Sequence, residues 1–214
     1  HTIKVSDAFR IVFFAETGDA RRVDLLLQSN ELRIGRRDPA RHEPGPDIDM
    51  ITDMMCSRQH ARLWSEGGVW RIEDSGSRHG TRVAGSEIRR QGPIEIQAST
   101  LITTGQTTWT VLPANFWYSI AGPIFVSADL ADLINYASYH SGTPLIRDFR
   151  VSNFTAVRSA PVAVAIDIPG YSALCKFDLP PLEPQETRMI KLPSFAMDGT
   201  ALRAQIEPTK TQWR

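Results

Sequence analysis

The sequence predicts an all-β chain built as two consecutive sandwiches, and three observations carry that prediction. Short apolar stretches follow one another closely from residue 10 to 112. Within them apolar and polar residues alternate, as half-buried strands require. Glycine, proline and small polar runs punctuate them, and only one segment of the whole chain has helical spacing.

Taken in order, the first-half strands are "RIVFF", "RRVDLLL", "LRIGR", "DIDM", "ARLW", "VWRIED", "TRVAG", "IEIQ", "TLITT" and "TTWTVL". Trp70 and Ile72 share one strand face, Ile94 and Ile96 another, and Trp109 with Val111 a third. The glycine pair of "SEGGVW" marks a hairpin turn. No stretch before residue 113 repeats with a helical period, so a sandwich of antiparallel strands follows.

"LPAN" at 112–115 reads as a boundary between a domain at 1–112 and a second at 116–214. Beyond it, "VSADLADLINYASYHSG" places apolar residues at 130, 133, 134 and 137, with Ser127 as N-cap and Gly142 as stop, and predicts one short helix. Strands then resume as "PLIRDFRV", "PVAVAIDI", "SALCKFDL", "TRMIKL" and "ALRAQIE". Val162, Val164, Ile166 and Ile168 form an inward face, and "LPPLEPQET" is a proline-stiffened corner. The second half is therefore expected to be a smaller β-sandwich with a helical crossover. The chain opens on His1 rather than methionine, and "TKTQWR" reads as the start of an incomplete strand, so a piece of a longer polypeptide is expected.

Composition narrows the function classes. The 214 residues are 42% hydrophobic and 22% charged, an ordinary globular balance. Net charge is zero, with 15 basic and 15 acidic residues up to Leu112 and nine of each beyond it. That balance argues against nonspecific nucleic-acid binding and against a polybasic membrane surface. No apolar run approaches the ~18 residues of a spanning helix, and no signal segment is present, so a cytoplasmic location is expected. Cys56 and Cys175 form no disulfide or zinc pattern, and Cys175 shares a strand face with Ala173, Phe177 and Leu179. Twenty of the 24 basic residues are arginine, and 14 of those precede residue 91. A planar guanidinium suits phosphate and carboxylate, although a compositional bias of the genome yields the same count.

Three clusters belong together: "IGRR" at 34–37, "CSRQH" at 56–60 and "SRHGT" at 77–81. Each borders a predicted strand, where loops gather at one rim of a sandwich. Arg36, Arg58 and Arg78 supply forked donors and Ser57 a hydroxyl. A phosphoryl group, with about −1.5 to −2 charges and three acceptor oxygens, matches such a set in charge and geometry.

The order Gly-Arg, Ser-x-x-His and x-Gly-Thr after an Asp-Ser-Gly-Ser lead-in resembles the forkhead-associated (FHA) domain, over about residues 9–112. That family is an eleven-stranded β-sandwich whose loops at one end bind phosphothreonine peptides. The resemblance implies that Arg36 and Ser57 contact the phosphate, with Arg58 as a further donor and Arg78 near the peptide. It makes Gly35, His60, Gly80 and Thr81 the structural support of the site. Arg58 and Arg78 read equally as solvated surface arginines, and Ser57 as a loop cap.

Two departures stand out. His79 occupies the position where the family has an asparagine that grips the peptide main chain through its carboxamide. A neutral imidazole carries its donor and acceptor on opposite sides of a larger ring and cannot reproduce that grip, whereas a protonated one can approach the phosphate. The segment "RDPARHEPGPDIDMITDMMC" is longer than the family norm and is expected to shape peptide specificity.

Other chemistries are weaker. Cys56 with His60 offers a thiol nucleophile or half a metal site, without further ligands. Asp47 and Asp49 face one way along a strand, as a cation pair or as solvated carboxylates. No nucleotide loop or hydrolase elbow is present, so no catalysis, cofactor or metal is expected. The second half resembles, more loosely, the immunoglobulin-like accessory domains that precede large bacterial helicase-like proteins, with Trp117, Tyr118, Tyr136 and Tyr139 as contact or packing aromatics. The expected partner is a phosphothreonine-containing protein or peptide made by a Ser/Thr kinase, with no direct nucleic-acid or membrane contact. The alternative is a degenerate scaffold or oligomerisation module that does not need phosphate.

Overall fold

In the computed structural model the described residues are 9–14, 20–25, 31–40, 44–66, 69–131, 140–142, 144–170, 172–192 and 198. Apart from His140, which is helical, every regular element assigned among them is a strand. Eleven belong to the first half: β1 (Phe9–Phe14), β2 (Ala20–Leu25), β3 (Glu31–Gly35), β4 (Ile48–Asp49), β5 (Ala61–Glu66), β6 (Val69–Asp74), β7 (Thr81–Val83), β8 (Ser86–Glu87), β9 (Ile94–Ile96), β10 (Leu101–Thr104) and β11 (Thr107–Pro113). They form a six-stranded sheet, β2-β1-β11-β10-β7-β8, and a five-stranded one, β4-β3-β5-β6-β9. All first-half pairings are antiparallel except β3 with β4.

The alternation that predicted strands also sets what lies between the sheets. Ile11, Ile102 and Trp109 from one sheet meet Ile34, Leu63 and Ile72 from the other, all fully buried. Trp109 keeps its indole N–H satisfied inside this core by donating to Thr104 Oγ1 at 3.1 Å, as a buried polar atom requires.

The opposite face of the six-stranded sheet is covered by the second half. That half contributes β12 (Trp117–Ala121), β13 (Ile124–Leu130), β14 (Ile146–Asn153), β15 (Val162–Ile166), β16 (Cys175–Leu179) and β17 (Thr187–Met189). They form a four-stranded sheet, β12-β13-β14-β17, and a β15–β16 ribbon. Val162, Val164, Ile166 and Leu179 pack on Val151 and Phe149 of that sheet. A separate cluster joins the halves: Val12, Phe14, Leu101 and Leu112 meet Phe116, Phe125 and Phe154, with Phe14 stacked on Phe154 at 4.6 Å. Polar bonds reinforce it, from Arg150 Nη1 to Ala98 O at 2.5 Å, from Thr187 Oγ1 to Ser99 O at 3.1 Å, and between the buried Ser99 and Ser127 hydroxyls.

That last contact corrects one expectation. Ser127 caps no helix; it sits inside β13, opposite Tyr118 and Arg150. "Ser-Ala-Asp-Leu" has the local signature of a helix start, but sheet pairing and a buried hydroxyl partner override it. The remainder of the predicted helix falls on 132–139, and the "ALRAQIE" strand, "TKTQWR", Tyr136 and Tyr139 also lie outside the described residues. Trp117 packs on the second core and Tyr118 on the joining cluster, so neither is a free contact aromatic. Among the described residues no helix is long and apolar enough to cross a membrane.

Candidate functional site

The site starts at the end of β3, where Gly35 leaves no room for a side chain. A Cβ there would lie 2.0 Å from the backbone oxygen of Arg58, so glycine is what allows the 56–60 loop to lie against the strand. Two backbone bonds fix that contact, Arg36 N–H to Ser57 O at 3.0 Å and His60 N–H to Ile34 O at 2.9 Å. Gly35→Ala is therefore expected to destabilise the chain by about 1–3 kcal/mol through overpacking against backbone. Urea titration beside wild type measures it, and an unchanged midpoint would show that the loop need not touch the strand.

Asp53 holds the other end of this loop, a role not visible in the sequence. Its buried carboxylate accepts from the backbone N–H of Met55, Gln106 and Thr107 at 2.8–2.9 Å and from the Thr107 hydroxyl at 2.8 Å. It thereby ties the Cys56–Ser57–Arg58 stretch to the β10–β11 hairpin.

His60 is fully buried and links the loop to the next one. Its Nδ1 accepts the Ser57 N–H at 2.9 Å. Nδ1 therefore carries no proton, so Nε2 bears the N–H and donates it to Gly80 O at 3.1 Å. Burial, the largest influence, holds its pKa below the ordinary histidine value despite the Gly80 carbonyl and nearby carboxylates. With both ring nitrogens used, His60 has no lone pair for a metal or for Cys56. The Cys56 thiol is itself buried, and burial together with the Asp53 charge pushes its pKa up to about 12. Both effects work against a thiolate nucleophile at this position. Among the described residues no group of three or more His, Cys, Asp or Glu is placed to hold a metal ion.

The third loop, residues 75–80, is organised by Asp74. One carboxylate oxygen accepts from the N–H of Gly76 and Ser77 at 2.9 and 2.8 Å, the other from the hydroxyls of Ser77 and Thr81 at 2.6 and 2.7 Å. Thr81, fully buried, is by this bond the anchor of β7. Gly80 has φ of +80°, and a Cβ would meet the Glu87 carboxylate at 2.8 Å. Burial raises the pKa of Asp74, but the Ser77 and Thr81 bonds outweigh it and hold the carboxyl below 3.8. A depressed carboxyl contributes stability that is complete above its unfolded value and lost as pH falls through the folded one. Wild type should therefore lose stability below pH 3.8, with a steeper slope than Asp74→Asn in thermal unfolding. Equal slopes would remove Asp74 from this role.

The predicted ligands sit on this frame. Ser57 Oγ accepts the backbone N–H of Arg78 at 3.0 Å, which leaves the hydroxyl hydrogen free to donate outward. Arg36 is half-buried; its Nε donates to Cys56 O at 3.3 Å, and its terminal nitrogens have no acceptor among the described residues. Arg58 is exposed and pairs with Asp38 at 3.1 Å. Arg36 and Arg58 line one cavity of about 310 Å3, while Ser57 and Arg78 are not on its wall. Arg78 and His79 are exposed, and neither side chain has a hydrogen-bond partner among the described residues.

Asp47 and Asp49 are neither a cation pair nor simply solvated. Asp47 accepts from the N–H and Nε of Arg33 at 2.8 and 3.2 Å, and Asp49 accepts the Arg37 N–H at 2.9 Å. These bonds lower the pKa of Asp47 against the opposing effect of burial.

A family model described as "FHA domain" matches residues 32–105. No curated protein shows a significant match. Similar solved structures include the FHA domain of an Arabidopsis thaliana hypothetical protein, at 26% identity and a TM-score of 0.40, covering 50% of this chain and 86% of that one. Another is the FHA domain of the CT664 protein of Chlamydia trachomatis, at 24% identity and 0.39, covering 49% and 96%. A third is Mycobacterium tuberculosis EmbR in complex with a low-affinity phosphopeptide, at 24% identity and 0.40, covering 50% and 24%.

Proposed function

We propose that residues 32–105, which are an FHA domain, hold a phosphothreonine-containing segment of a partner protein, so that the chain acts as an interaction module and not as an enzyme. One observation carries this reading. The Ser57 hydroxyl accepts the Arg78 N–H while Arg36 N–H bonds to the Ser57 carbonyl, so three separate stretches of sequence meet at one serine. The terminal nitrogens of Arg36 lack an acceptor among the described residues, the Ser57 hydroxyl hydrogen is free, and the exposed Arg78 side chain has no hydrogen-bond partner among them. These are acceptor-seeking groups, and a dianion with three oxygens satisfies them together.

Each charge-assisted bond contributes about 1.5–3 kcal/mol. Three or four of them, less the cost of ordering a peptide, give roughly micromolar affinity, about −8 kcal/mol. Arg58 joins only by leaving Asp38, an exposed pair that holds it weakly. His79 lies on the same loop and contacts the bound segment from the side, without the two-handed main-chain grip of a carboxamide. In this reading the site belongs to a first domain at 1–112, and a second domain at 116–214 supports it. A cytoplasmic Ser/Thr kinase would generate the ligand.

Calorimetric titration with a degenerate phosphothreonine peptide library and its unmodified counterpart tests this. Binding of the phosphorylated library alone is expected. Equal binding of both, or of neither, would favour a phosphate-independent scaffold. A glutamate in place of the phosphothreonine should fail to bind, having one oxygen fewer and less charge.

A further inference from the structure

The four-stranded sheet of the second half is roofed over only part of its width. The β15–β16 ribbon sets Val162, Val164 and Ile166 on Phe149 and Val151 of β14. Two strands spaced ~4.8 Å apart cannot cover four. On the uncovered side Trp117 and Val126 are only half-buried, and Ser119 and Ala121 are exposed. What remains is an apolar groove of about 450 Å3. Its floor is the cross-strand pairs Trp117–Ala128, Ser119–Val126 and Ala121–Ile124.

The side wall of the groove is β15. All of residues 162–166 line it, the outward Ala163 and Ala165 together with the inward valines. Both faces of one strand border a cavity only where the strand turns its edge to it. That edge is open: β15 bonds β16 on one side, and its other side has no backbone partner among the described residues. An unpaired edge above an apolar floor is a template for one more strand. Such a strand would run about 4.8 Å from β15 and ~10 Å above β12 and β13.

The occupant must be extended and must turn alternate apolar residues downward. In "ALRAQIE", residues 201–207, Leu202, Ala204 and Ile206 share one strand face, and Arg203, Gln205 and Glu207 the other. Its seven residues equal the length of β13 below. The small floor residues Ser119, Ala121 and Ala128 leave depth for a leucine and an isoleucine. Reach is sufficient. Leu192 packs on the same core, and the eight residues between it and Ala201 span up to ~30 Å. From the β17 edge to a place above β12 the chain crosses three strand spacings and one layer, ~17 Å. The β15 strand of a second copy does not suit, because its Val162, Val164 and Ile166 are already packed on its own sheet. We propose that residues 201–207, which lie outside the described residues, enter this groove as a third roof strand beside β15. The second half then closes as four strands facing three. This assignment is independent of the phosphothreonine reading.

Amide hydrogen exchange on the full chain tests it, read at the β15 amides that do not point at β16. In wild type these should exchange at least about tenfold more slowly than in Ala204→Pro, which removes a donor and blocks pairing. The Trp117 indole resonance should move in the same variant. Arg203→Ala, on the outward face, should keep wild-type protection; its loss there too would trace the effect to general destabilisation and overturn the assignment. Should Ala204→Pro not fold, Leu202→Ser/Ile206→Ser replaces it with the same expectations. Equal exchange in wild type and variant would show that another molecule, or none, fills the groove, and the proposal falls. Protection that disappears on dilution, together with a dimer in light scattering, would assign the strand to a second copy and overturn the placement within one chain.

Discussion

Arg36→Ala is expected to weaken phosphothreonine-peptide binding by at least about tenfold while leaving the fold intact. The side chain has one internal bond, from Nε to Cys56 O at 3.3 Å, a half-buried contact whose loss costs ~1 kcal/mol or less. Its structural work is done by the backbone N–H on Ser57 O, which alanine keeps. What alanine removes is the pair of terminal nitrogens, and a charge-assisted bidentate contact is worth about 1.5–3 kcal/mol. Arg36→Lys should recover only part of the loss, because an ammonium restores the charge but not the fork. Calorimetry with one phosphothreonine peptide measures the affinity, and circular dichroism confirms the fold. Undiminished affinity in the alanine variant would remove Arg36 from the site.

The second large effect is structural. His60→Ala is expected to cost about 3 kcal/mol of stability, since it opens a cavity and strands the part-buried Ser57 N–H and the buried Gly80 C=O. The same residue gives wild type a pH dependence. A histidine whose folded pKa is depressed contributes stability that is fully present above the unfolded value of 6.5. That contribution declines as pH falls through the lower folded value, because the unfolded chain takes up the proton first. Denaturant unfolding of wild type should therefore show falling stability below pH 6.5, and His60→Ala should lack that component. A variant as stable as wild type, with the same pH profile, would show that the two loops are joined by something else.

The strands were legible because alternation is local: Trp70 with Ile72 and Trp109 with Val111 announce their inward faces within three residues. The site clusters were legible for a similar reason, since Gly35–Arg36, Ser57 to His60 and Ser77 to Thr81 are compact groups of special residues. What stayed hidden is what joins them. Asp53 reaches Gln106 and Thr107, more than fifty positions away, and nothing near it in sequence distinguishes it from any loop aspartate. Asp74 was nearer to view, with its four bonds all inside seven residues, yet an Asp-Ser-Gly turn is common enough to carry no message by itself. Ser127 misled in the opposite direction. Its neighbours write a helix start, and only the distant Ser99 hydroxyl and the β14 pairing turn it into a strand residue.

The aromatic seam between the two halves has a practical corollary. Val12, Phe14, Leu101 and Leu112 are finished on their far side by Phe116, Phe125 and Phe154, so residues 9–112 cut out alone would bare a greasy flank. Whatever the reader loops catch is presented at a bearing set by the welded second half, as a jaw is by its handle.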